Sequence, residues 1–198
     1  MLVGGSLSSL WDTEKKKHLE RIARDKEVGY IDIRIIDLLE AINRIEALYT
    51  TSSCSGRIAI IDSDWPWEKD DTFTVFKSHE KISENDIKTI IEMMPKERYW
   101  LMVRGPILHV IAKDLESAKK LLRLARESGF KHSGVMDVTS TGYLVELISS
   151  SQITMPLRDK YAIYVDKENL HMLIMLSNEI LENSWLRINK LKEKIESW

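Results

Sequence analysis

Apolar and polar positions follow two periods along this chain, and the places where the period changes divide it into elements. From about residue 8 to 27 the sequence is strongly charged, with Trp11, Leu19, Ile22 and Ala23 as an apolar minority at helical spacing, which predicts a surface helix. Ile31, Ile35, Leu38, Leu39 and Ile42 form a fuller apolar stripe, predicting a second helix that reaches about Leu48 and is entered through Gly29. "RIAII" and "TFTVFK" read as strands on either side of a polar connection around Trp65, Pro66 and Trp67. Ser83, with Asp86 three residues on, signals the capped start of a short helix that Pro95 ends near Met94.

The second half continues the mixture. "YWLMVR" and "ILHVIA" predict strands broken at Gly105 and Pro106. Asp114 caps a helix whose Leu115, Ala118, Leu121, Leu122 and Ala125 turn inward, and Gly129 closes it. "SGVMDV" and "GYLVELIS" follow as strands, then a strand after Pro156 through "YAIYV". Helical spacing resumes at Leu170 and runs through Leu173, Trp185, Ile188 and Leu191 to Ile195. At roughly 1.5 Å per residue that helix is about 40–45 Å long. Together these elements predict an α+β fold: a single mixed β-sheet with packed helices and a long C-terminal helix, in one domain over residues 1–198.

Composition narrows the class. At 198 residues and 43% apolar content the chain can bury one good core, or at most two closely packed lobes. Twenty-nine Lys and Arg against 31 Asp and Glu leave a formal charge of −2, so any contact with nucleic acid has to come from a local basic patch. The single cysteine excludes an internal disulfide, the amino terminus shows no secretion leader, and no stretch has the length and apolarity of a membrane span. These features predict a cytoplasmic protein without a membrane partner. The five histidines show no metal-ligand spacing, so no metal site is expected. Neither G-x-G-x-x-G nor a phosphate-binding G-x-x-x-x-G-K motif occurs, which argues for a non-Rossmann fold.

The stretch with the most chemistry is "YTTSSCSGRIAIID", residues 49–62. Read as a helix-to-strand loop, it exposes backbone N–H groups among the hydroxyls of Ser52, Ser53 and Ser55, permits close approach at Gly56, and adds the guanidinium fork of Arg57. Such a loop can cradle an anion, although Ser and Thr also fill ordinary turns by satisfying local backbone groups. Cys54 lies only three residues before Arg57, too close for a cysteine-phosphatase ring, and a small packed cysteine is the plainer reading. Other polar residues stand out by position. Lys77 and His79 lie at a strand end, His109 interrupts the apolar strand "ILHVIA", and Asp37 interrupts an apolar helix. Lys119, Arg123 and Arg126 line one helix face at i, i+4 and i+7, a stripe that can meet RNA phosphates, although a basic stripe opposite an apolar one is usually a solvated face.

"YTTSSCSGRI", "SHEKIS", "GPILHV" and "SGFKHSG", in this order and spacing, resemble the tRNA wybutosine-synthesising protein 3 family in its short archaeal form. The resemblance runs from about Trp11 to Pro156, and His132 departs from it where asparagine is more usual. It implies an S-adenosyl-L-methionine-dependent methyltransferase, with tRNA-Phe as partner and the tricyclic wybutosine precursor beside the anticodon as substrate, methylated on a ring nitrogen (N4). His109 is then the first candidate for general base and Asp37 the second. Ser52, Ser53, Cys54, Ser55, Gly56, Arg57, Lys77, His79, Lys131 and Ser133 are candidates for holding cofactor or modified base. Two other readings of the residues remain: a non-catalytic RNA-binding module, and a small-molecule anion-binding enzyme built on the loop.

Overall fold

The computed structural model describes residues 4–68 and 70–198. Its elements in chain order are α1 (Gly4–Glu27), α2 (Ile33–Arg44), β1 (Leu48–Cys54), β2 (Arg57–Asp62), β3 (Phe73–Ser78), α3 (Glu84–Glu92), β4 (Arg98–Arg104), β5 (Ile107–Ala112), α4 (Leu115–Glu127), β6 (Gly134–Thr139), β7 (Gly142–Ile148), β8 (Gln152–Asp159) and α5 (Lys167–Glu196). The chain divides into two compact units: one from the segment ending at Ser55, Pro106–Ser150 and Trp185–Trp198, the other from Gly56–Gly105 and Ser151–Ser184.

In the first unit the strands run β1-β5-β7-β6, all pairs antiparallel. Strand alternation sends Leu108 and Val110 of β5 to one face, where they pack with Ile35, Leu38 and Leu39 of α2, Leu121 of α4 and Ile188 and Leu191 of α5. Each such side chain, fully buried, contributes about 1.5–3 kcal/mol. The opposite face is partly covered near Trp11 of α1, which packs with Tyr49 and Ile111. Asp32 starts α2 by accepting the Arg34 N–H at 2.9 Å, the N-cap interaction that satisfies a helix's orphan donor.

In the second unit the order is β3-β2-β4-β8, again antiparallel throughout. Ser83 and Asp86 form the expected capping box of α3. The carboxylate of Asp62 accepts the backbone N–H groups of Lys96, Glu97 and Arg98 at 2.6, 2.8 and 3.1 Å, fixing the entry to β4. Asn178 of α5 makes a reciprocal pair with the backbone of Ile82, at 2.9 and 2.8 Å.

The α+β class, the absence of a Rossmann unit and the long last helix agree with the sequence reading; α5 has 30 residues. The single mixed sheet does not: the described residues form two four-stranded antiparallel sheets, and Gly105-Pro106 is one of the places where the chain leaves one for the other. The small-residue stretch is also a strand rather than a loop. Leu48 to Cys54 run along β5, with the register shifting between Thr50 and Ser52, and only Ser55 and Gly56 separate β1 from β2. Threonine suits a pleated strand, and ladder partners on β5 take up the backbone groups that a loop would have presented. α2 stops at Arg44 accordingly, with Ile45 already extended. Pro156 lies inside β8, opposite Trp100 at a register shift, which an edge strand tolerates because proline's missing N–H costs no ladder bond there. Of "YAIYV" only Ile163 makes a bridge, to Arg158.

Candidate functional site

In the first unit, the register β1-β5-β7 places Ser52 opposite His109 and His109 opposite Glu146. Cross-strand partners share a face, so the three side chains form a row on the side of the sheet away from Leu108 and Val110. Glu146 Oε2 accepts from His109 Nε2 at 2.8 Å, and Ser52 Oγ lies 2.7 Å from His109 Nδ1. The neutral ring therefore carries its proton on Nε2 and receives the Ser52 hydroxyl proton at Nδ1. The His109 side chain is 32% exposed and that of Glu146 17%, so the row is open to a ligand at its serine end while its acid is largely withdrawn.

Neighbouring residues hold this row in place. Thr50 is buried, donating its N–H to Asn43 Oδ1 and accepting from Asn43 Nδ2, both at 2.9 Å, which ties β1 to α2. Ser55, also fully buried, donates its hydroxyl to the Asp32 carboxylate, so the end of the motif is bound to the α2 N-cap. Ser53 is exposed opposite Leu108, and Cys54 ends the strand half-buried opposite Ile107. Asp37 is elsewhere: it sits exposed on the solvent side of α2, paired with Lys192 at 3.0 Å, and α2 covers the sheet face opposite to His109. In the turn after α4, Lys131 and His132 are exposed, whereas Ser133 is buried, donating to Phe130 O at 2.8 Å and accepting the Ile148 N–H at 3.1 Å.

The second unit holds the rest of the motif. Gly56 has φ +105°, and a Cβ there would come within 2.9 Å of the Arg104 carbonyl oxygen, so only glycine fits. His79 Nδ1–H donates to the Gly56 carbonyl at 2.7 Å. Arg57 is exposed and directly cross-strand from Arg104, which in turn faces Gln152 and donates to its side-chain oxygen. Burial first, and the Arg57 charge second, hold the Arg104 guanidinium below its ordinary range. Two like charges placed cross-strand repel, so an anion added between them relieves an existing strain. Lys77, exposed and opposite Ala59, shares the face of Arg57 and Arg104.

Three of these residues escaped the sequence reading. Asp32 carried a usable signal, an N-cap residue just before an apolar helical stripe. Glu146 and Arg104 carried none, because their significance lies in strand registers that place them beside His109 and Arg57. Among the described residues no helix is long and apolar enough to cross a membrane.

A family model described as Methyltransferase TYW3 matches residues 13–197. A relative from Saccharolobus solfataricus is 38% identical over 95% of this chain and 90% of its own length, and is named tRNA(Phe) 7-((3-amino-3-carboxypropyl)-4-demethylwyosine(37)-N(4))-methyltransferase. One from Thermococcus sibiricus with the same name is 34% identical over 94% of each chain. A solved structure from Pyrococcus horikoshii superposes with a TM-score of 0.86 at 33% identity, covering 93% of this chain and 95% of its own. A solved hypothetical protein from Aeropyrum pernix gives 0.78 at 33% identity, covering 84% and 98%.

Proposed function

Because the chain belongs to the TYW3 methyltransferase family, we propose that it methylates N4 of the 7-(3-amino-3-carboxypropyl)-4-demethylwyosine base at position 37 of tRNA-Phe, with S-adenosyl-L-methionine as donor. The names of the Saccharolobus and Thermococcus relatives support the substrate, since each is similar to this chain over nearly its whole length. The observation that carries the chemistry is the Ser52–His109–Glu146 row.

S-adenosyl-L-methionine, when bound, supplies an electrophilic methyl carbon whose bond to sulfur breaks as the bond to nitrogen forms. The cross-strand guanidiniums of Arg57 and Arg104 fit a carboxylate such as the one this cofactor carries. The ring nitrogen must also lose a proton for a neutral product. Ser52 Oγ takes that proton as it passes its own to His109 Nδ1, and Glu146 stabilises the imidazolium that results. Asp37, exposed and held by Lys192, is not needed as a base in this scheme.

The test is calorimetry with S-adenosyl-L-methionine, followed by single-turnover reaction with tRNA-Phe carrying the demethylated base and mass analysis of the nucleoside. Saturable cofactor binding and the gain of one methyl group at N4 are expected. An unchanged nucleoside in the presence of bound cofactor would rule the substrate out, and absence of cofactor binding would rule out the donor.

A further inference from the structure

Residues 119–132 carry five Lys and Arg against one Glu, and residues 187–194 carry four against one, in a chain of formal charge −2. Within the first unit these segments, α4 with its following turn and the last turns of α5, lie side by side. Lys194 Nζ donates to Glu127 Oε2 at 2.7 Å, and the Lys120 ammonium sits 4.5 Å from the Trp198 ring centre. Arg187 lies across Gly129 so closely that a Cβ there would be 2.8 Å from its Cδ. Residue numbers rise on one helix as they fall on the other, so the two run antiparallel, with basic side chains along both.

These charges are poorly compensated. Arg126 donates to the Ser133 carbonyl at 3.1 Å, and Arg187 donates to the Ser149 and Ser150 hydroxyls at 3.0 and 3.2 Å, all uncharged acceptors. Glu127 is the carboxylate that bridges the two helices, through Lys194. Its hydrogen bond from Lys194 and that residue's charge, then more weakly Arg123 and Lys190, hold it below the ordinary carboxylate range. Lys192 points the other way, where Asp37 and Glu196 neutralise it, and Lys119 is paired with Glu116.

We propose that this two-helix face, through Arg123, Arg126, Lys131, Arg187, Lys190 and Lys194, docks the sugar–phosphate backbone of the RNA substrate. The inference rests on the reading that the chain acts on tRNA, and adds which surface holds it. A row of six cations set against the one carboxylate of Glu127, on a slightly acidic protein, matches a polyanion, and it leaves sequence discrimination to contacts elsewhere, because phosphates carry no sequence information.

Fluorescence anisotropy with a tRNA-Phe transcript, between about 50 and 200 mM KCl, tests it. The variant is Arg123→Glu with Lys190→Glu, two exposed positions that make no packing contact like that of Arg187 with Gly129. Affinity should fall at least ~10-fold at the lower salt, and the slope of log affinity on log salt should flatten by roughly 2, one for each lost phosphate contact. The control, Lys16→Glu with Lys17→Glu on α1, where both side chains are more than 70% exposed, should change neither. Melting temperature and S-adenosyl-L-methionine binding should match the parent in both. Unaltered affinity and slope, or an equal loss in the control, would overturn the proposal. If the parent methylates tRNA and the variant behaves like it, the surface is wrong and the function stands. A parent that neither binds nor methylates tRNA, or that is retained only by phosphatidylserine vesicles, would overturn both.

Discussion

Glu146→Gln is the most informative single change, because it preserves shape and removes only the charge behind His109. The carboxylate lies 2.8 Å from Nε2 and is 17% exposed, so its attraction for an imidazolium acts in a partly dry setting. Two unit charges 4 Å apart interact by about 4 kcal/mol at the effective dielectric constant of such a site. Solvent reaching His109, which is 32% exposed, screens that attraction, and about 1.5–3 kcal/mol is the usual net value of a charged hydrogen bond. Single-turnover methyl transfer should therefore slow by roughly 10- to 150-fold. His109→Ala should slow it by about 10²- to 10⁴-fold. The decisive arm is the double variant: if Glu146 acts only through His109, adding Glu146→Gln to His109→Ala costs nothing further. Additive losses would refute the row as a unit, as would a Glu146→Gln rate that falls only in proportion to the folded fraction.

Three further outcomes can be checked separately. Arg57→Ala should leave folding intact and weaken binding of S-adenosyl-L-methionine or tRNA by about 1.5–3 kcal/mol, the scale of a hydrogen bond to a charged group, and unchanged affinity for both would exclude the anion-holding role. Hydrogen bonds from the Tyr164 hydroxyl, and then from the Tyr161 and Ala162 N–H groups, hold the Asp159 carboxyl at about 2, below its unfolded value near 4. Its contribution is thus present above pH ~4 and lost as pH falls towards ~2, so urea midpoints of Asp159→Asn should lie below the parent's at pH 7 and converge with them in acid; a constant gap would contradict this. Gly142 has φ +145°, and a Cβ there would meet the Ala112 carbonyl oxygen at 2.2 Å, whereas Gly29, at φ +69°, has nothing within 4 Å. Denaturant titration should show Gly142→Ala costing about 3 kcal/mol or more and Gly29→Ala about 1 kcal/mol, and equal costs would disprove the clash argument.

Local signals in the sequence were read well where one residue type dictates one geometry. Asp114 caps α4, donor Ser117 N–H at 2.8 Å, Gly129 closes it at φ +95°, and the Ser83–Asp86 box opens α3. His109 stood out for the same reason, as a polar side chain in an apolar strand. Pairing between distant segments was not legible. Nothing near Pro106 announces that β5 joins β1 and β7 while β4 joins β2 and β8, and a one-residue change of register would put His109 among the core leucines. The hydroxyl-rich stretch misled because serine and threonine serve turns and strands alike, and the partner strand that decided the matter lies more than fifty residues away. Glu146 and Arg104 were hidden by the same distance.

The chain passes between its two units after Ser55, Gly105, Ser150 and Ser184. A break anywhere from residue 56 to 184 thus leaves both halves of the gene encoding incomplete pieces of both units. Recombination at a single point in that range cannot exchange one unit for a foreign version while keeping the other, as it can for domains strung end to end. The hydroxyl row of the first unit and the arginine pair of the second interleave in the same way, in the order Ser52, Arg57, Arg104, His109 and Glu146, so a single crossover cannot replace one of them whole and keep the other.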